Sequence, residues 1–432
     1  MGLHAVIAVV IFVVTYGLIL SNRVDKTVAA LLGGSLMIVF HVVGEVEAYA
    51  YVDLSVIFLL VGMMIISHFL AESGLFGFAA VWIAQLVHGR PVPLLVLLAL
   101  ATGVLSALVD NVTTVVLIAP VTFLMADQLE ISPVPFLLFE VMAANIGGTA
   151  TLIGDPPNIL IGSGAGLTFN QFLFHLGPPA AFCLALLLIL AAVTIHRYSR
   201  VSTDVRARIM DMNAGRAITD RVLLIKSGSV LVLVLLCFML HELIHVGPAP
   251  IALVGAGVLL LITRSDPVKA FQAVEWPTLF FFVGLFLTVA GLVSSGVIEQ
   301  MSQGVLRLTG TNLAVNALAV LWFAGLSSAF VGAIPMVTAL IPILDTLLPA
   351  IEAGSGADPQ MVQYAMWWSL ALGACMGANG TILGAAANIV VVEIARNNNR
   401  VIPFGRFMLV GMPIAVTTLV LCSGYVLMRY VW

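Results

Sequence analysis

This sequence has very little charge. Of its 432 residues, only 9% are Asp, Glu, Lys or Arg, while 61% are hydrophobic and the mean hydropathy is +1.15. A soluble domain carries about 25% charged residues, so this chain has too little polar surface to stay in water. Cysteine is scarce too. Cys183, Cys237, Cys375 and Cys422 are scattered without paired spacing, so neither a disulfide framework nor a zinc site is indicated. No basic tract precedes the first apolar run. That run extends to Leu20, too long for the apolar core of a cleaved signal, and reads as a retained span. The net charge of −4 is small. Nothing points to an enzyme, a cofactor or a nucleic-acid partner.

What remains is a series of apolar runs long enough for helices rather than barrel strands. The fold class that follows is an all-α polytopic membrane protein in a lipid bilayer, with about ten transmembrane helices plus two re-entrant hairpins. Full crossings fit 4–21, 26–43, 53–72, 138–164 and 172–197, then 222–246, 249–264, 276–298, 363–395 and 405–430. Regions 92–130 and 313–350 are apolar but broken in the middle, as hairpins entering and leaving on one side would be. Such backbone is tolerated at membrane depth only where protein or a watery cavity surrounds it. Segments 75–88 and 299–310 are short and suit helices at the interface. The one long polar stretch, 198–221, carries Arg200, Arg206, Arg208, Arg216 and Arg221. The positive-inside rule makes it a cytoplasmic linker in the plasma membrane protein, and counting five crossings each way puts both termini outside.

The chain also repeats itself. Gly147, Thr151, Gly154, Asn158 and Ile159 in 147–159 coincide with Gly377, Thr381, Gly384, Asn388 and Ile389 in 377–389. Asp53, Gly62, Ser73 and Gly74 match Glu275, Gly284, Ser295 and Gly296 at a constant offset, and Ser106, Ala107 and Pro120 match Ser328, Ala329 and Pro342. This divides the chain into repeats at 1–197 and 222–432. Each has an odd number of crossings, so the copies are expected to be inverted, with hairpin tips approaching from opposite sides. Paired broken segments in corresponding halves are the best sequence pointer to a secondary transporter's binding site.

The polar residues of these breaks are the candidate site. Asp110, Asn111, Thr113 and Thr114 lie at the first hairpin's turn. A carboxylate at membrane depth is a functional hypothesis by default, although an Asp there also suits a helix N-cap. The first break supplies Asn145, Gly148, Thr149, Thr151, Asp155 and Asn158, and Pro156 and Pro157 ensure that the helix is interrupted. The second break supplies Gly377, Asn379, Thr381 and Asn388. Glu140 lies two helical turns before Gly147, either as a proton carrier or as a buried group bonded to a neighbour. Asp110, Asp155 and Glu140 are thus the candidates for proton coupling. The second hairpin has Gly332 and Ala333 opposite Asp110 and Asn111, so the ionisable groups sit in the first half. His68, His175, His241 and His245 read as interfacial or internally bonded, and Cys375 as packing.

At these motifs the chain resembles the ion transporter superfamily, which contains arsenite permeases and sodium–proton antiporters (the ArsB/NhaD group), the melanosomal P protein, and citrate and dicarboxylate transporters. The stretch from Asn145 to Asn158 resembles the arsenite-permease and P-protein branch most specifically. The resemblance implies a scaffold half and a mobile transport half, elevator-type alternating access and commonly a homodimer. For arsenite permeases it further implies a soluble ATPase partner. Members often carry Asp-Asn in the second hairpin, where this chain has Gly332-Ala333. The first expectation is proton-coupled efflux of arsenite or antimonite, whose neutral trihydroxides need only Asn, Thr and backbone groups. Sodium–proton antiport is the alternative. Dicarboxylate uptake fits worse, because neither turn has a Ser-Asn-Thr and no embedded Arg or Lys is evident near the motifs. A channel or non-transporting scaffold is disfavoured by the repeated breaks.

Overall fold

The computed structural model describes residues 2–21, 23–194, 201–210 and 213–432. Among these the chain is helical throughout, with turns between helices and no strands. The first half runs α1 (Leu3–Ser21), α2 (Lys26–Val39), α3 (Glu45–Ala50), α4 (Leu54–Glu72), α5 (Leu75–Leu86), α6 (Pro91–Leu108), α7 (Asn111–Gln128), α8 (Val134–Gly148), α9 (Pro156–Ala165) and α10 (Phe169–Thr194). After α11 (Thr203–Met210) come α12 (Arg221–Met239), α13 (His241–Ile244), α14 (Pro248–Thr263), α15 (Pro267–Gln272), α16 (Trp276–Ser294) and α17 (Val297–Thr309). The chain closes with α18 (Leu313–Val331), α19 (Ala333–Ser355), α20 (Pro359–Gly377), α21 (Ala386–Asn397) and α22 (Phe404–Val426).

Much of the sparse acidity starts helices. Asp25, Asp53, Asp220, Asp266 and Asp358 accept first-turn N–H groups of α2, α4, α12, α15 and α20, which would otherwise lack partners. Proline occupies the first turn of α6, α8, α9, α14, α15, α16 and α20, where its missing N–H costs nothing. Gly74 and Gly296 open α5 and α17 with φ of 82° and 73°, a left-handed turn that glycine adopts freely.

Ten described helices are long and apolar enough to cross a membrane, but they differ from the ten read from the sequence. The hairpin arms α6, α7, α18 and α19 have 18 to 23 residues and qualify by length, whereas α2 and α14, counted above as crossings, have 14 and 16. An arm of 18 residues rises about 27 Å at 1.5 Å per residue, close to the hydrocarbon thickness of about 30 Å. The interruptions are correspondingly small: Val109–Asp110 in the first hairpin and Gly332 in the second. The long breaks are elsewhere, at 149–155 between α8 and α9 and at 378–385 between α20 and α21.

The repeat recurs in helix starts and in packing. Leu54 and Trp276, which open α4 and α16, are 222 positions apart (276 − 54), as are Pro91 and Leu313, which open α6 and α18 (313 − 91). In the packing, α4 crosses α14 at Gly62, where an added Cβ would stand 2.7 Å from the Ala252 carbonyl carbon. Reciprocally, α16 crosses α2 at Gly284, where it would stand 2.4 Å from that of Ala30. Ala30 and Ala252 are themselves repeat partners, so each half lends a helix to the other. The linker is pinned beneath the α4–α5 turn. Thr219 donates its N–H to the Ser73 carbonyl at 3.1 Å and its hydroxyl to the Glu72 carbonyl. Arg200 lies outside the described residues.

Candidate functional site

The two breaks are built alike. Ser106 donates to the Ala144 carbonyl at 2.8 Å and Ser328 to that of Ala374 at 2.7 Å, tying each hairpin arm to its neighbouring broken helix. Thr151 donates to the Ala107 carbonyl at 2.6 Å, and Thr381 makes the same bond to Ala329. The same two hydroxyl oxygens accept N–H groups from Gly154 and Leu383, each at 3.1 Å. Asn158 Nδ2 reaches the carbonyls of Gly148, Thr149 and Thr151 at 3.4, 3.1 and 2.9 Å. Asn388 Nδ2 reaches those of Ala378 and Thr381 at 2.9 and 2.8 Å. These side chains replace helical bonds lost at the breaks, as buried backbone requires. Gly148 itself sits so close to Gly154 that an added Cβ would stand 2.6 Å from its carbonyl oxygen.

Between the breaks runs a line of amides. Asn111 Nδ2 donates to Asp155 Oδ1 at 3.1 Å and to Asn145 Oδ1 at 3.3 Å. Asn145 Nδ2 in turn donates to Asn379 Oδ1 and Asn388 Oδ1, both at 3.0 Å, joining the two halves. The repeat mate of the Asn145–Asn388 bond is Cys375 to Asn158, at 3.5 Å, so Cys375 holds the position equivalent to Asn145. Asn379 Nδ2 is buried without a partner. Thr149 donates to the Asn145 carbonyl and Thr114 to the Asp110 carbonyl, at 2.8 and 2.9 Å.

In front of this core lies a cavity of about 90 Å³. Both hairpin tips line it, through Asp110, Asn111 and Val112 and through Val331 to Pro335. So do the two helix starts at Asp155–Pro157 and Ala385–Ala386. Although the tips come from different repeats, they meet at one space. Asp110 caps α7 with one oxygen, Oδ1, which accepts the Thr113 N–H at 2.8 Å. Its Oδ2 is buried with no partner, on a residue 9% exposed. Capping thus uses one oxygen of this carboxylate and leaves the other without a partner.

Of the residues singled out from sequence, Asp110, Asn111 and Asp155 reach the cavity. Thr113, Thr114, Asn145, Gly148, Thr149, Thr151, Asn158, Gly377, Asn379, Thr381 and Asn388 stand behind it or in the latches. Glu140 is 2% exposed and sits away from the cavity, where the Thr122 hydroxyl lies 2.8 and 2.9 Å from its two oxygens. The opposite wall was not foreseen. Lys26, Glu275, Thr278 and Phe281, from α2 and α16, line the same space. Lys26 Nζ lies 5.5 Å from the Phe281 ring centroid, and Thr278 donates to Glu275 Oε2 at 3.1 Å. The reading that no embedded cation lies near the motifs is thereby corrected. Lys26 opens a helix that sequence alone places far from both breaks, and only the α2–α16 crossing brings it there. Among the described residues no group of three His, Cys, Asp or Glu is arranged to hold a resident metal ion.

Comparison with known proteins agrees with this arrangement. Two solved structures share the fold. One is the Alcanivorax borkumensis YdaH transporter, with TM-score 0.58 and 16% identity over 89% of this chain and 87% of that one. The other is Neisseria gonorrhoeae MtrF, described as one of a class of antimetabolite efflux pumps, with TM-score 0.60 and 11% identity over 91% and 84%. A 46 kDa membrane protein of Mycobacterium leprae is 40% identical over 99% of both chains. An uncharacterised transporter of Mycobacterium tuberculosis is 41% identical over the same share. The human P protein is 30% identical over 98% of this chain and 60% of its own length. The citrate transporter profile matches residues 16–373. A chain with paired broken helices, matched over most of its length by this profile and by named transporters, is a membrane transporter and not an enzyme, and it belongs to the CitMHS citrate transporter family of the ion transporter superfamily.

Proposed function

We propose that this transporter is a cation–proton antiporter, with sodium as the first candidate, working by elevator-type alternating access. The observation that carries the reading is Asp110, whose Oδ2 is buried and unpartnered, on a residue that lines a cavity also holding Asp155. A carboxylate so placed takes either a proton or a cation, which is the competition an antiporter needs. Neutral hydroxide solutes lose ground, because Thr151, Thr381, Asn158 and Asn388 commit their donors to the backbone. A free tricarboxylate is also disfavoured, since the cavity offers Asp110, Asp155 and Glu275 against one ammonium. Its mouth lies at the ends of α1, α2 and α16, which the charge bias puts in the cytoplasm, so the conformation is read as inward-open.

A second reading, proton-coupled export of arsenite or antimonite, is favoured by the buried, unpartnered Asn379 Nδ2, a donor free for a neutral hydroxide. Proteoliposomes under an imposed pH gradient, challenged in turn with sodium, arsenite, antimonite and citrate, decide between them. Sodium-dependent proton release is the expected result. Release with arsenite or antimonite alone selects the second reading, and none with any of the four overturns both.

A further inference from the structure

The cavity has a counterpart of about 80 Å³, lined by fewer residues. The repeat carries Lys26, Thr278, Phe281 and Ile389 of the wide cavity onto Pro248, Val56, Leu59 and Ile159, all of which line the narrow one. The two spaces are the same place in the two repeats, but the hairpin tips and the helix starts beyond the breaks line only the wide one. Ser163, which lines the narrow space, donates to Asp53. The repeat places Glu393 and Glu275 at the equivalent positions, two carboxylates with no hydrogen to share when ionised, and both bear on Lys26. Where the narrow wall has Pro248, which carries no charge, the wide wall has Lys26.

Lys26 makes no ion pair among the described residues. The charges that bear on it are Glu275, Asp25 and Glu393. Glu275 in turn interacts electrostatically with Asp110, and Asp110 with Asp155. Without Lys26 the wide wall would present only negative charge to an ionised Asp110 and Asp155.

We propose that Lys26 is a coupling residue: its ammonium stands in for the transported cation, holding the empty, ionised site at the wide wall so that the carrier does not return unloaded. This rests on the reading of Asp110 and Asp155 as the coupling acids. A charge shifts a two-state equilibrium only through a difference in its interaction with the two states, and the Lys26–Pro248 asymmetry supplies that difference. Protonation or a bound cation neutralises the acids and releases them.

The test reads conformation without any solute. In a cysteine-free background, Ala385→Cys reports the wide cavity and Val56→Cys the narrow one, labelled by a membrane-impermeant maleimide in sodium-free choline buffer. Adding Lys26→Gln, or Lys26→Met as a second variant, should slow labelling at Ala385→Cys and speed it at Val56→Cys, each by about threefold or more. Lys26→Arg should leave both rates unchanged. In an Asp110→Asn, Asp155→Asn background, Lys26→Gln should have no further effect. Unchanged rates on removing the ammonium overturn the proposal. So does an equal shift in the background lacking the acids, which would mark Lys26 as merely structural. Failure of the underlying reading shows separately, as pH-dependent transport that survives Asp110→Asn and Asp155→Asn.

Discussion

The two oxygens of Asp110 have different surroundings, and this separates fold from function in one side chain. Oδ1 caps α7, and asparagine caps about as well as aspartate. Asp110→Asn is therefore expected to leave the melting temperature nearly unchanged while abolishing proton-coupled transport, measured by thermal unfolding and by proton flux on the same preparation. Thr151 and Thr381 are the opposite case. Each hydroxyl is bound to a hairpin carbonyl, so Thr151→Val and Thr381→Val leave a buried acceptor unpaired and should each cost about 1–3 kcal/mol. The expected signature is a lower melting temperature and lower maximal rate with unchanged apparent solute affinity. A loss of affinity instead would return these threonines to the solute. Asp110 was legible in the sequence because a lone carboxylate between apolar runs needs a reason. Lys26 was not, because a lysine at a helix start has an ordinary explanation, and its neighbours come from the other half of the chain.

Among the helices, the closest approaches are between glycine pairs. An added Cβ at Gly147 would stand 1.9 Å from the Gly103 carbonyl oxygen, and one at Gly377 would stand 2.0 Å from that of Gly325. Neither carbonyl is the end of a flexible side chain, so Gly147→Ala and Gly377→Ala must push α8 from α6 and α20 from α18. Overpacking of this kind costs about 1–3 kcal/mol, occasionally more. Each variant is expected to lower the yield of monodisperse protein in fluorescence-detected gel filtration, Gly147→Ala and Gly377→Ala alike. The recurrence of these glycines could be read from the sequence, but their partners could not, since a repeat shows equivalence and not contact. For the same reason the breaks at 149–155 and 378–385 were legible through Pro156, Pro157 and the glycines, whereas the length of the hairpin arms was not. An apolar run reads the same whether it crosses a bilayer or turns back within it.

At the scale of the molecule, the hairpin tips cannot report topology, because Asp110 and Val331 line one cavity and a reagent entering its mouth meets both. The bases of the hairpins can. In a cysteine-free background, Asp127→Cys is expected to react with an impermeant maleimide only from the cytoplasm and Ala353→Cys only from outside. Reaction of both from one side would sink the inverted arrangement of the repeats. The division into halves rests on glycine, serine, proline and asparagine that recur at a constant offset, which apolar composition alone does not produce.

The exchange of helices between halves also bears on biogenesis. The face of α2 around Ala30 and Gly34 is completed by α16, and Gly62 of α4 by Ala252 of α14. Both partners are synthesised after the linker. While the ribosome is still reading the second half, the first half stands in the bilayer with close-packing surfaces that only lipid can cover. Its helices must be inserted before they can be locked, so this seam closes only once translation has passed α16. The two halves, for all their likeness, are a single unit of synthesis.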